Sequence, residues 1–506
     1  MEYPSVLYIL AAIFIIPLVY QSLVVSDPLG RIPGPVLARW TRFYRIYYDI
    51  VLGGKWLPHL EYLHQKYDII QDLSSGLGET SCTLLTHAAY ADIYSSPAKF
   101  PKDPHLYSVF EFGLPSSLFT EIDQKEHAVL KSMLGSFFSK QGILKLENVI
   151  QERVDKLLSQ LTTNHKYTPA IMHLAFRSVT LDIITIYSYR TSLDVTSYPS
   201  FRHPVLLSIT DRIASTWTFR HFPILVPISK NLPTWLSTFL MPSSKAQLEV
   251  QREVAKLVDE ALQNAQDPAS DEHDDDSNMF HTIIHNAGTK YRHKITREYL
   301  ICEGLDLRIA GSDTVGNTCA IGTRALVWDE RVRNKLVAEL DEAWPDKDSR
   351  MPLERLEKLP YLTAVIKESL RLSHGVVTPM NRVVTNSEAS IAGHYVPPGT
   401  IVSIANPFVH LNPDIFPEPH RFYPERWIEA KDHSLDRYLV TFGKGSRSCI
   451  GINLAWSELY MILGNLFRKL ELKSHTELGS EVKFKEIFVP VFEENLLNAT
   501  AVERLV

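Results

Sequence analysis

The stretch "FGKGSRSCIG", residues 442–451, contains three glycines, two basic side chains and a cysteine. It immediately precedes "INLAWSELYMILGNLFRKL", residues 452–470, in which apolar residues recur at helical spacing. Cys449 is therefore predicted to lie at a helix N-terminus, where unpaired N–H groups and the helix dipole lower the pKa of a thiol. The glycines let the backbone turn tightly around the sulfur, so that a bulky group can come close.

Arg447 stands two residues before this cysteine, and its guanidinium fork suits carboxylates. An anionic sulfur, a close planar ligand and a carboxylate clamp together are typical of a thiolate ligand to haem iron. A buried, inert cysteine is the plainer alternative, because free cysteines are often buried. A phosphate-binding loop is a weaker alternative, because "GKGSRS" lacks the required order of glycine, lysine and serine or threonine.

Composition excludes several classes of protein. The chain has 506 residues, of which 45% are hydrophobic, so it can bury a large core. Its four cysteines lie far apart without a CxxC pair, which argues against a disulfide framework and a structural zinc site and favours a reducing compartment. The net charge of -6 gives no general attraction to nucleic acid, so no nucleic-acid partner is expected.

The N-terminus is typical of a membrane anchor. Residues 3–25 carry no charged side chain, and about 20 such residues cross a bilayer as a helix. A cleaved signal peptide is the alternative, but the positive start and the small-residue cleavage site are missing. Arginines follow the span and none precedes it, which predicts a cytosolic body. The expected division is an anchor at 1–27, a proline-rich hinge at 28–45 and a catalytic domain at 46–506.

Most of the chain between residues 120 and 340 has helical periodicity, interrupted by an acidic loop at 267–278. Residues 298–328 are predicted to form one long helix containing "AGSDT", residues 310–314. Small residues such as Ala310 and Gly311 commonly let another helix pack closely, although they also leave room for a flat ligand. In the second case Asp313 and Thr314 are placed to transfer protons.

Downstream, Glu368 and Arg371 stand three apart on a predicted helix, a spacing that by itself indicates a surface ion pair worth tenths of a kcal/mol. After residue 375 the sequence changes to short β-prone runs with turn signals around Pro397 and Gly399. The proline-studded stretch "NPDIFPEPHRFYPERW", residues 412–427, is predicted to be an ordered meander, because proline excludes helix and central strand.

"FGKGSRSCIG" matches in full the haem-ligand signature of the cytochrome P450 superfamily, F-x-x-G-x-R-x-C-x-G, and "AGSDT", "ESLR" and "PERW" match three further hallmarks of that family in its order. The sequence resembles microsomal members, in particular fungal enzymes of secondary metabolism. The resemblance implies a mainly α (α+β) fold with a large helical domain and a small β-rich domain. Haem b, iron protoporphyrin IX, would lie between the long central helix and the cysteine loop.

The same resemblance implies roles for the residues that hold the haem. Cys449 would be the axial ligand of the iron, Phe442 would pack beside its sulfur, and Arg447 and Arg382 would bind the propionates. The helix before the active site usually carries Trp-x-x-x-Arg or His-x-x-x-Arg in this family. Here it reads His127 to Lys131, which would contact a propionate with lysine in place of arginine. Lysine offers charge without a bidentate fork.

The resemblance also implies a buried structural triad of Glu368, Arg371 and Arg426 behind the haem. Thr314 and Asp313 would deliver protons to the distal oxygen.

The implied activity is insertion of one oxygen atom of O2 into a lipophilic small molecule, as a hydroxylation or an epoxidation. The expected setting is the endoplasmic reticulum membrane, with a single anchor and a cytosolic catalytic domain. Electrons would come from NADPH-cytochrome P450 reductase, because no flavin or nicotinamide site is visible in the sequence. A terpenoid substrate is favoured and a polyketide is the alternative. A thiolate-haem isomerase and a non-catalytic haem sensor remain as other classes.

Overall fold

The structure is a computed structural model that describes residues 32–72, 81–95, 100–111, 117–240, 244–265, 278–385, 389–477, 479, 482–492 and 496–505. The predicted anchor at residues 3–25 lies outside the described residues, as does nearly all of the acidic loop at 267–278. None of the helices within the described ranges has the length and the apolar character to cross a membrane.

Helices make up most of the described chain. In order they are α1 (Val36–Trp40), α2 (Phe43–Ile46), α3 (Trp56–His64), α4 (His87–Tyr94), α5 (Pro104–Glu111), α6 (Gln124–Gly135), α7 (Lys140–Leu144), α8 (Glu147–Asn164), α9 (Met172–Tyr189), α10 (Pro204–His221), α11 (Leu225–Asn231), α12 (Thr234–Leu240), α13 (Ser244–Asn264), α14 (Met279–Tyr291), α15 (Arg297–Trp328), α16 (Glu330–Ala343), α17 (Leu353–Leu356), α18 (Pro360–Ser373), α19 (Asn406–His410), α20 (Glu425–Glu429) and α21 (Ile452–Lys469).

The strands are short and form small sheets. They are β1 (Ile69–Asp72), β2 (Ser81–Leu84), β3 (Ala170–Ile171), β4 (Arg382–Val383), β5 (Ala389–Ile391), β6 (His394–Val396), β7 (Ile401–Ser403), β8 (Leu470–Ser474), β9 (Phe484–Ile487), β10 (Val489–Phe492) and β11 (Asn498–Glu503). One sheet has the order β1-β2-β7-β4, with a parallel β2–β7 pair. A second has the order β3-β11-β8, and β5–β6 and β9–β10 are antiparallel pairs.

Two large hydrophobic clusters divide the molecule in the way that the family resemblance implies. The larger cluster joins α6 to α10 and α13 to α18 with α21, and the smaller one joins α3 and α4 to the β1-β2-β7-β4 sheet. The result is a mainly α protein with small sheets. The described part of the predicted hinge packs against the second cluster, since Gln71 of β1 donates its backbone N–H to the Pro33 carbonyl and Gly34 lies against the Gln71 carbonyl.

Helix α15 runs through the centre of the helical part. The side chain of Thr296 accepts the Tyr299 N–H at 3.1 Å and so caps its first turn. Its end is marked by Asp329, whose side chain accepts from the Val332 N–H and thereby caps the next helix. The long helix predicted from the proline-free stretch is confirmed, with almost the same limits.

Candidate active site

The cysteine loop is held by its own backbone and by α4. The Cys449 N–H donates to the Phe442 carbonyl at 2.9 Å, which closes the loop on itself. Gly443 and Gly445 have φ values of +71° and +70°, a region that favours glycine. A Cβ on Gly445 would lie 2.6 Å from the Tyr94 carbonyl, so this glycine also permits close contact with the end of α4.

The Cys449 thiol is exposed, although the protein around it is dense enough that burial raises its pKa despite the opposing effects of the Gly451 N–H and of Lys131. A thiol that is surrounded by protein but not covered borders an internal space. The sequence predicted a lowered pKa from a position at the helix N-terminus. In the folded chain the Gly451 N–H at the start of α21 does lower this pKa, but burial outweighs it, so the expected lowering is not found.

A cluster of basic side chains lies around this loop. Its members come from four parts of the chain and are close enough for their charges to act on one another: Lys102, His127, Lys131, Arg382 and Arg447. Burial and the neighbouring charges hold the pKa of Lys102 well below its usual range and lower that of His127 to about 3 and that of Arg447 to about 10.

Neutral protein groups supply the hydrogen bonds of this basic cluster. Arg447 donates to the Gln124 side chain and to the carbonyls of Glu121 and Ile122 at 2.6–2.9 Å. Arg382 donates to the Tyr107 hydroxyl at 2.7 Å. The Glu121 and Asp123 carboxylates lie near enough to raise the pKa of Arg447, but they do not outweigh burial. The cluster of basic groups therefore suits further anions.

Helix α6 carries two residues that were predicted to belong to the site, and the two make different contacts. Lys131 donates to the carbonyls of Ser446 and Ser448 at 2.9 and 3.2 Å and thereby supports the cysteine loop itself. His127 is buried, and its Nδ1 has no hydrogen-bond partner among the described residues. A buried nitrogen of this kind is costly unless a bound group satisfies it.

Helix α15 presents two different faces in the "AGSDT" segment. Gly311 packs against α9, since a Cβ there would lie 2.7 Å from Ile184, so the helix-packing interpretation holds for this residue. Ala310 is exposed and Thr314 half-buried, although most of the helix around them is buried. These two side chains border an internal space, as the functional interpretation requires. The Thr314 hydroxyl donates to the Ala310 carbonyl at 2.9 Å.

Asp313 forms a buried ion pair with Arg177 of α9. Its Oδ1 accepts from Arg177 Nε at 2.7 Å and lies 2.6 Å from Nη2. Both side chains line a cavity of about 360 Å³ together with Asn317, and the Asn317 amide donates to the Pro490 carbonyl. Asp313 is therefore held in an ion pair, whereas its neighbour Thr314 borders the internal space.

Glu368, Arg371 and Arg426 come together in the core. Arg371 and Glu368 have no exposed surface and form a bidentate pair with distances of 2.7 and 2.9 Å. Arg426 Nε donates to the same carboxylate at 3.1 Å, and so does the indole of Trp427 at 2.9 Å. Arg371 also donates to the His410 and Pro419 carbonyls, so the surface-pair interpretation is excluded and the triad ties α18 to the meander.

Sequence reasoning missed two residues of this site. Lys102 lies in "FPKDP" and is 5% exposed, with its ammonium donating to the Phe119 carbonyl. A lysine between two prolines in an otherwise apolar stretch was the available signal. Tyr107 lies in the middle of α5, and its hydroxyl accepts from Arg382. The sequence offers no comparable sign of that contact.

The described residues fit a haem. The exposed thiol supplies a soft donor for iron, and the basic cluster supplies countercharges for two carboxylates. Ala310 is exposed in the middle of a buried helix, so there is room for a flat group between α15 and the cysteine loop. The thiol, the basic cluster and the room beside Ala310 all fit one planar, anionic group that carries a metal.

Comparisons with known proteins agree with this geometry. The family model for cytochrome P450 matches residues 45–490. The cytochrome P450 monooxygenase MO6277 of Ascocoryne sarcoides is 31% identical over 478 residues, which cover 92% of both chains. The conidiogenone synthase PchP450 of Penicillium rubens is 32% identical over 453 residues, covering 88% of both chains.

A solved structure supports the fold. The haem domain of cytochrome P450DA superposes with a TM-score of 0.75 at 18% identity and covers 94% of this chain and 98% of its own. The family model, the curated relatives and the fold thus point to the same conclusion. The chain belongs to the cytochrome P450 family and is a haem-containing monooxygenase.

Proposed function

We propose that the chain inserts one oxygen atom into a lipophilic terpenoid on the cytosolic side of the endoplasmic reticulum membrane, with electrons from NADPH-cytochrome P450 reductase. The observation that supports a lipophilic substrate is an apolar wall formed by α5, α10 and the loops that carry Phe119 and Phe488. Leu106, Phe110 and Trp217 are buried together, and Phe119 and Phe488 pack against them. The ring centroids of Phe110 and Phe488 lie 4.6 Å apart. Such a wall suits a hydrocarbon skeleton, with few polar groups to fix its orientation.

When bound, haem supplies the oxygen chemistry, and an axial thiolate favours O–O cleavage. Cys449 would ligate the iron, with Phe442 beside it. Arg382, Arg447 and Lys102 would neutralise the propionates, and His127 Nδ1 is free to bind there as well. Lys131 would hold the cysteine loop in place through its bonds to Ser446 and Ser448.

We assign proton transfer to Thr314 and Asp313. The Thr314 hydroxyl uses its hydrogen on the Ala310 carbonyl, so its oxygen is left to accept from a water molecule in the internal space. Asp313 is held by Arg177 and reaches solvent through the cavity that both line, which is large enough for several waters. A proton from that cavity would pass by way of Asp313 and intervening water to the water molecule held at Thr314 Oγ1, because the two side chains lie on different faces of α15.

Thr314→Ala is expected to leave the haem spectrum intact while product formed per NADPH falls by about tenfold or more. The reason is that electrons are still accepted when proton transfer at this position fails. The matched control is Thr318→Val, one turn further along α15, because Thr318 is buried and donates within the core. Equal coupling in wild type and Thr314→Ala would count against the assigned role.

The proposed function is tested by co-expression with the reductase while candidate terpenoids are supplied, followed by mass analysis. The expected result is a product heavier by one oxygen atom that forms only with NADPH, reductase and O2, and that carries the label when the oxygen gas is labelled. Oxygenation of polyketides but of no terpenoid would move the substrate to the alternative class.

The same reaction mixture separates the other classes. A thiolate-haem isomerase rearranges peroxides without reductase or O2, and a haem sensor forms no product. The presence of both Asp313 and Thr314 argues against the isomerase, and neither a sensor nor an isomerase accounts for a proton pair beside a solvent-linked cavity.

A further inference from the structure

The cavity lined by Asp313 and Arg177 is separate from the space beside Thr314, because Asp313 and Thr314 lie on different faces of α15. Its walls come from α9, α10, α15 and the β9–β10 pair. Its volume of about 360 Å³ falls within the range of small-molecule sites, about 300–1,000 Å³. The cavity is therefore larger than a supply of water to one carboxylate requires.

Two polar side chains in the wall of this cavity are not satisfied by the protein. His173 is 6% exposed, and neither its Nδ1 nor the hydroxyl oxygen of Thr210 has a hydrogen-bond partner among the described residues. Burial and the charges of Arg177 and Arg202 lower the pKa of His173 to about 3, so the imidazole is neutral and offers one N–H. Buried polar atoms of this kind are costly unless a bound group satisfies them.

The electrostatic surroundings of the cavity favour an anion. Helix α9 begins without a side-chain cap, and His173 and Leu174 of its first turn line the cavity, so the positive end of the helix dipole adjoins it. Arg177 follows one turn later, and Lys485 of β9 is exposed and lines the cavity as well. The acid in this lining, Asp313, is already paired with Arg177. Lys485 therefore leaves the cavity with an excess of positive charge.

Much of the remaining lining is apolar, from Leu174, Leu207, Val491 and Phe492. A ligand that fits these walls has a hydrocarbon body and one negative charge. A dianion such as phosphate fits less well, because Asp313 repels a second negative charge and the apolar walls offer it no hydrogen bonds.

We propose that this cavity is a binding site for a lipophilic monocarboxylate, a molecule distinct from the compound that is oxidised at the haem. Its carboxylate would lie between the start of α9 and Lys485, accept hydrogen bonds from His173 and Thr210, and share the Arg177 guanidinium with Asp313. The five N–H donors of a guanidinium allow such sharing. The hydrocarbon part would lie against the apolar walls.

Occupation of this site has a consequence for the reaction. In the proposed proton route Asp313 reaches solvent through this cavity, so a bound molecule displaces the water on which that route depends. Product formed per NADPH is then expected to fall by about threefold or more when the site is saturated. This consequence rests on the proposed function, whereas the binding itself does not.

The test measures the binding of octanoate to purified holoenzyme by calorimetry, with octan-1-ol as the uncharged analogue of the same length. The holoenzyme is first saturated with clotrimazole, a bulky azole that ligates haem iron and fills the space above it, so that octanoate cannot bind there. Octanoate is expected to bind this complex at one site, roughly tenfold or more tightly than octan-1-ol, without changing the Soret band of the azole complex.

Three variants locate the site. Lys485→Glu reverses the charge at an exposed position and is expected to weaken octanoate binding by about tenfold. The matched control is Lys473→Glu, at an exposed position of β8 that does not line the cavity, and it should bind octanoate like the wild type. His173→Leu removes the imidazole and should weaken binding by about tenfold as well. An intact Soret band shows that each variant is folded.

Three results would each overturn the inference: no octanoate binding to the azole-saturated wild type, equal affinities for octanoate and octan-1-ol, or equal octanoate affinities in Lys485→Glu and Lys473→Glu. Turnover without the azole separates the consequence from the site. Octanoate should lower product formed per NADPH in the wild type and in Lys473→Glu, but not in Lys485→Glu at the same concentration. Octanoate binding that leaves this ratio unchanged would contradict the proton route through Asp313 and leave the binding site in place.

Discussion

Replacing Arg371 with alanine is expected to lower the free energy of unfolding by about 3–5 kcal/mol, because the Glu368 carboxylate is then left buried without its main countercharge. A typical domain has only about 5–15 kcal/mol of stability, so little folded holoprotein should accumulate. The measurement is urea unfolding followed by the haem absorbance and by circular dichroism.

The chain contains a matched control for this prediction. Glu418 and Arg421 also stand three residues apart and form an ion pair of 3.1 Å, but both are exposed. Arg421→Ala should therefore change the stability by about 1 kcal/mol or less. Equal losses in the two variants would contradict a structural role for the buried triad.

The triad also predicts how the free energy of unfolding changes with pH. Burial alone would raise the pKa of Glu368, but Arg371 and Arg426 hold it below its usual range. A carboxyl with a lowered pKa contributes stability that is present above its unfolded pKa, near 4.3, and lost as pH falls towards the folded value. The free energy of unfolding of the wild type should therefore decrease as the pH is lowered through this range, which urea unfolding at a series of pH values measures.

The second large effect concerns Cys449. Cys449→Ser is expected to reduce product formation below detection at matched haem content, because a serine hydroxyl does not ionise near neutral pH and cannot replace a thiolate at iron. Cys82→Ala is the control, since Cys82 is buried in β2 and should keep its turnover. Normal product formation by Cys449→Ser would contradict the assigned ligand.

The sequence predicted the parts of the site that depend on local pattern. The cysteine loop with its glycines, the long helix and the meander follow from residue spacing and turn chemistry, and the structure shows them in place. One part of the meander prediction is wrong: residues 425–427 begin the short helix α20, because the last proline, Pro424, lies before its first turn and does not interrupt it. The triad is an intermediate case. The spacing of Glu368 and Arg371 is equally compatible with a surface pair, and only the family resemblance indicated burial.

Contacts between distant segments could not be predicted. Arg177 lies 136 residues before Asp313, and nothing in its local sequence marks it as the partner of that acid. Lys102 joins the basic cluster through tertiary packing alone, and Arg382 was indicated only by the family resemblance. The pKa of Cys449 was expected to fall because of the nearby helix, but burial outweighs that effect in the folded chain.

The central claim is that Cys449 binds haem iron as a thiolate. The most direct test is the absorption spectrum of purified, reduced holoprotein under carbon monoxide. The predicted result is the red-shifted Soret band typical of thiolate coordination, absent in Cys449→Ser. A wild-type spectrum without that band, or a Cys449→Ser spectrum that still shows it, would contradict the claim.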